Sequence, residues 1–255
     1  MQPNASIQQQ WRNSVDGIYT AVVTMFICNL ATGIISLFSG FAPFLLIGSI
    51  VAMLISASFM FSYYLNLGRW KRLISNQSDA QSVGYIRFYA LFQVISASLG
   101  IVSTTIAIGE YLFLPYCITD VNSSAIDIFF TISTILNIVY GVVVAICFVG
   151  YILETIAAAS LRNSTTMHER VRIGMNRIFI SNILLIIGVV VIIFLAMLGG
   201  AAAVAGPAFA ILILLAGVCL GIAVVVLRLT GWKCVSESDY IEEPTIDDSE
   251  TLPIA

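Results

Sequence analysis

The sequence predicts an all-α, polytopic integral membrane protein: a bundle of six transmembrane helices with N- and C-termini cytoplasmic. Three observations carry that prediction. Hydrophobic residues make up 59% of the 255-residue chain and charged residues only 10%, against about 25% charged in an ordinary soluble domain. Several of its apolar runs exceed the roughly 18 uncharged residues that mark a membrane-spanning segment. The eleven Lys and Arg residues then all fall on one side of the layout that six such runs define.

Residues 1–16 form a polar, Gln/Asn-rich N-terminal segment. The first span covers 17–37; it is longer than a signal-peptide core and no small-residue cleavage pattern follows it, so it reads as a retained helix. The second, 43–67, opens on Pro43, a residue suited to a first helical turn because its missing N–H costs nothing there. The third (86–109) and fourth (125–152) are joined by a loop holding Glu110 and Asp120. The fifth covers 176–198, and the sixth, 207–229, opens on Pro207. At 1.5 Å per residue, each run reaches across a hydrocarbon core of about 30 Å. Residues 231–255 make an acidic tail with seven carboxylates between Glu237 and Glu250. It is too polar to bury a core and reads as disordered.

With the N-terminus inside, the loops alternate. Arg12, Arg69, Lys71, Arg72, Arg87, Arg162, Arg170, Arg172, Arg177, Arg228 and Lys233 all land on the inner side or at an inner helix end, which is the positive-inside bias without exception. Trp11, Trp70 and Trp232 fall at the same inner boundaries, where an amphipathic indole sits well at headgroup level. "GRWK" after the second helix and "GWK" after the sixth give matching exits. They are either the trace of an internal duplication or simply how an inward-going helix ends. The segment 166–177, TMHERVRIGMNR, reads as a surface helix or as a solvated loop. Glu154 is expected near Arg162 or Arg72, and the fifth helix, polar only at Ser181 and Asn182, reads as lipid-facing.

Polar groups within spans are costly in lipid and point to candidate sites. The third helix carries Gln93, Ser96, Gly100, Ser103 and Glu110 at helical spacing, with Thr104 beside them. The fourth carries Asp127, Thr131, Thr134 and Asn137. One reading is close packing of small and hydroxyl residues; the other is a polar substrate path between the two helices, with Glu110 and Asp127 at its outer mouth. Gly217 and Gly221 form a GxxxG in the sixth helix, a helix-packing signal in cis or in a dimer.

Some classes are disfavoured. No basic domain suggests nucleic acid, and the five cysteines and single histidine form no metal-ligand cluster. No phosphate-binding, dinucleotide, zinc-protease or nucleophile-elbow motif occurs, so the reading is non-enzymatic, with no metal and no cofactor. Two functions follow as expectations. The first is a multi-pass protein acting by association, as a scaffold, assembly factor or regulatory subunit, through its inner basic loops or acidic tail. The alternative is a small transporter or channel subunit using the path along the third and fourth helices. Expected partners are membrane lipids, a protein bound by the tail or cytoplasmic loops, and a second copy of the chain. The expected location is a plasma or bacterial inner membrane.

Overall fold

The computed structural model describes the backbone of residues 4–38, 45–117, 123–202 and 206–240, with side chains chiefly over 6–35, 47–106, 131–191 and 215–240. It is all-α: α1 (Asn4–Phe38), α2 (Leu45–Leu73), α3 (Gln77–Cys117), α4 (Ser123–Arg162), α5 (Glu169–Ala202) and α6 (Gly206–Ser236). All six are long and apolar enough to cross a membrane.

The helices outrun the spans read from hydropathy. A 41-residue helix such as α3 is about 60 Å long, twice the hydrocarbon thickness. Hydropathy marks only the part that lipid must solvate, whereas helical hydrogen bonding continues past it. The connection read as 68–85 is thus three residues, 74–76, and that read as 153–175 shrinks to 163–168. Asn76 caps α3 by accepting the N–H groups of Ser78 and Asp79 at 2.9 and 3.2 Å. His168 Nδ1 accepts the Arg170 N–H at 3.1 Å at the start of α5. The segment 166–177 is therefore no separate surface helix; most of it is the first turns of α5, burying Val171 and Met175. Ser164 and Thr166 donate to Asp79 Oδ2 at 2.6 and 2.5 Å, pinning the α4–α5 loop to α3.

Each helix packs on its neighbours in sequence, and α1 returns to α6. Among the described residues the six helices therefore form a closed ring of three hairpins. One pattern repeats in each. The first helices bury Trp11/Val15/Ile18/Val22, Asp79/Val83/Ile86/Ala90 and Val171/Met175/Ile178/Asn182. The second helices turn Tyr63/Leu67/Trp70, Glu154/Ala158/Leu161 and Arg228/Trp232/Val235 inward. Steps of four and three keep each series on one helical face. The repeat thus reaches all three hairpins, but in a register one turn away from the one the matching Trp exits suggest. Trp232 lies between Tyr63 and Trp70, its ring 5.7 Å from the first and 6.4 Å from the second.

Among the described residues the buried core is concentrated at the cation-bearing end of the ring and takes in the inner ends of the spans. Trp70 and Trp232 are fully buried and Trp11 is 3% exposed, so the tryptophans form a core rather than an interfacial belt. Beyond the hydrocarbon the solvent is water, and enclosing a large apolar side chain contributes about 1.5–3 kcal/mol. Within lipid that drive is absent, and Ile47, Ile138, Phe194 and Ile222 point outward. Helix α6 continues past residue 230 to Ser236, and Ser238–Tyr240 lie against α1; residues 241–255 lie outside the described residues.

Candidate functional site

One layer of the ring is polar. Tyr63, Glu154 and Arg228 occupy the same position in the three second helices and converge there with Asn182 of α5. Arg228 Nη2 donates to Glu154 Oε1 at 2.5 Å and Nη1 to Asn182 Oδ1 at 2.9 Å. Asn182 Nδ2 donates to Glu154 Oε2 at 3.3 Å, and the Tyr151 hydroxyl donates to Asn182 Oδ1 at 3.0 Å. The Glu154 side chain is fully buried while that of Arg228 is 23% exposed. Burying either ion alone would cost several kcal/mol; here each carboxylate oxygen has a donor and the guanidinium has two acceptors. Glu154 therefore pairs with Arg228, not with Arg162 or Arg72. Asn182 belongs to the interior, so this part of α5 is not lipid-facing.

The exposed edge of Arg228 looks into a chamber of about 260 Å³ whose other polar lining is Asn29, Tyr63, Tyr89, Gln93 and Tyr151. Phe26, Met60, Leu185 and Val224 supply apolar wall. The Tyr63 hydroxyl is buried and has no hydrogen-bond partner among the described residues. A guanidinium has five N–H donors; among the described residues Glu154 and Asn182 take one each. A second chamber of about 360 Å³ continues from the first, sharing Asn29, Met60, Tyr89 and Gln93 and adding Ser96, Gly100, Tyr140 and Cys147. Its wall is held by Ser56 Oγ donating to Asn29 Oδ1 at 3.1 Å and Cys147 Sγ donating to the Phe92 carbonyl at 3.4 Å. Toward the cation-bearing end the core around Trp70 and Trp232 closes the ring.

The α3 stripe and the α4 stripe fare differently. Gln93, Ser96 and Gly100 line the chambers. Ser103 and Thr104 are half-buried beyond them, the Thr104 hydroxyl bonding the Gly100 carbonyl at 2.8 Å. Thr131, Thr134 and Asn137 are exposed and line neither chamber. Successive steps of three turn a stripe back by about 60° each on a 3.6-residue helix, so the α4 series winds away while Tyr140, Val144, Cys147 and Tyr151 line the chambers, Tyr140 and Val144 from their exposed rim. The side chains of Glu110 and Asp127 lie outside the described residues. Among the described residues, nothing lies within 4 Å of a Cβ added at Gly217 or Gly221. The close crossing of α5 and α6 is instead at Gly174 and Gly231, where an added Cβ would stand 2.5 and 2.8 Å from the other's carbonyl oxygen.

These features define a class, an all-α fold of six helices each long and apolar enough to cross a membrane, with a partly open pocket of mixed polar and apolar lining between them. The chain matches no known protein family, no curated protein and no solved structure.

Proposed function

We propose that this protein is a small membrane carrier or channel subunit that admits an uncharged, hydrogen-bonding solute to the interior of its ring. The observation that supports this reading is the pair of continuous chambers whose polar lining is Arg228, Tyr63, Gln93, Asn29 and Ser96. Glu154 neutralises Arg228, so the site has no net charge to attract an ion, while the free guanidinium and phenol donors suit a carbonyl or hydroxyl. In this reading the cation-bearing end faces the cytoplasm of a plasma or bacterial inner membrane, following the positive-inside bias, and both termini lie there. Association remains the second reading. In its favour, Ser238–Tyr240 are bound to Gln8 and Trp11, so the acidic residues beyond them start from a fixed point, ready for a protein partner.

The test is osmotic reswelling of proteoliposomes with urea and glycerol as probes. Wild-type protein should speed solute entry over protein-free liposomes. Gly100→Phe, which places a ring where an added Cβ already approaches Tyr140 at 3.9 Å, should abolish the gain. No gain from wild-type protein with either solute removes this transport reading and leaves association.

A further inference from the structure

We propose that the seam between α2 and α3 at the cation-bearing end binds the headgroup of an anionic phospholipid. Four of the eleven cations, Arg69, Lys71, Arg72 and Arg87, lie in the stretch 65–89. Among the described residues none has a carboxylate within ion-pairing distance; the three ion pairs use Arg12, Arg170 and Arg228. Asp79, the one acid of that stretch, is 4% exposed and already accepts the Ser164 and Thr166 hydroxyls.

Two of these cations are built into the seam by reciprocal glycines. Lys71 Nζ lies 3.1 Å from where a Cβ on Gly84 would stand, and Arg87 Cζ lies 3.0 Å from where one on Gly68 would stand. The two halves share one spacing, G-x-x-K at 68–71 and G-x-x-R at 84–87, so each helix offers a glycine to the other's cation. The Arg87 guanidinium also lies over the Tyr64 ring at 4.3 Å, and its Nε is buried without a hydrogen-bond partner. Lys71 and Arg87 are like charges on one seam, neither ion-paired among the described residues, and like charges repel one another. An anion on the seam reverses the sign of that interaction.

The groove lined by Lys71, with Arg87 on the same α2–α3 seam outside its lining, identifies the anion's source. It has a volume of about 680 Å³ and runs from Lys71, Gln77 and Gln81 to Phe88 and Leu153. The hydrocarbon boundary read from the sequence, at 67, 86 and 152, passes through it. Its polar end therefore stands in the headgroup region, and its apolar end, with Phe88 41% exposed, stands among acyl chains. A soluble phosphate would account for the cations but not for the apolar floor; a phospholipid accounts for both. Basic residues at such a boundary are the usual means of holding anionic lipid.

Native mass spectrometry of the full chain in mild detergent, offered phosphatidylglycerol or phosphatidylcholine with identical chains, tests this. Phosphatidylglycerol should be retained preferentially. Because each cation near an anionic surface contributes about fivefold, Lys71→Gln with Arg87→Gln should reduce that retention about 25-fold. Lys71→Arg with Arg87→Lys should keep it, and Arg170→Gln, a cation away from the seam, should leave it unchanged. If the double glutamine variant fails to fold, Lys71→Gln alone should still give the fivefold loss. Equal retention of the two lipids by wild type, an unaltered preference in the glutamine variants, or displacement of the lipid by millimolar inorganic phosphate would each overturn the proposal.

Discussion

Removing one member of the Glu154–Arg228 pair should cost far more than removing both charges. Arg228→Met deletes the donor at 2.5 Å from Glu154 Oε1 and leaves a fully buried carboxylate with only the Asn182 amide. Breaking a buried pair in this way costs about 3–5 kcal/mol, most of it the penalty of an uncompensated charge. For a chain of this size that lowers a thermal midpoint by roughly 6–20 °C. Adding Glu154→Gln removes the charge while keeping an acceptor for Asn182, and apolar or neutral replacement of a whole buried pair is often close to neutral. The double variant should therefore recover at least about 2 kcal/mol of the loss, a coupling typical of residues in one hydrogen-bond network. Intrinsic fluorescence during thermal unfolding in detergent suits this assay, because Trp232 lies one turn beyond Arg228 in the same core. A double variant as unstable as Arg228→Met alone would refute the reasoning.

Three further outcomes follow. Gly174→Ala should destabilise the protein by about 1–3 kcal/mol, since its Cβ would meet the Gly231 carbonyl oxygen at 2.5 Å and backbone cannot yield; Gly217→Ala, with nothing within 4 Å, should be neutral or slightly stabilising. The same thermal assay checks both. The Asp239 carboxyl is held below its ordinary value, chiefly by the hydrogen bond from Arg12. A depressed folded pKa means the contact stabilises docking above the ordinary carboxylate value and fails as pH falls through the lowered one. Acidification below roughly pH 4 should free the tail's first residues, read as lost amide protection at Tyr240, whose N–H donates to Gln8 Oε1 at 2.8 Å. Asp239→Asn should mimic this at neutral pH. Asp79→Ala should loosen the α4–α5 loop, which two hydroxyls tie to that carboxylate, giving faster exchange across 163–168 without loss of the chamber.

The six-helix architecture was legible because the cost of polar backbone and charge in lipid writes itself directly into apolar runs. The helix ends were not, since α2 and α3 continue as ordinary helices past the point where hydropathy falls. In the site, the α3 stripe was readable from Gln93, Ser96 and Gly100 on one face. Glu154 and Arg228 stand 74 positions apart near the ends of two apolar runs, and nothing local says that they face each other rather than the headgroups. The tryptophans misled for a related reason: an indole suits both a membrane boundary and a buried core. The close crossing of α5 and α6 was not legible, because it joins single glycines of two helices, Gly174 and Gly231, that no short motif connects.

The central claim is that water-soluble molecules reach the inside of the ring. With the native cysteines replaced, Gln93→Cys should react with a membrane-impermeant charged thiol reagent in sealed vesicles. Ile138→Cys, on the outward face of α4 where the native side chain is 62% exposed, should not react, because lipid covers it. Labelling at position 138 with protection at position 93 would contradict the account.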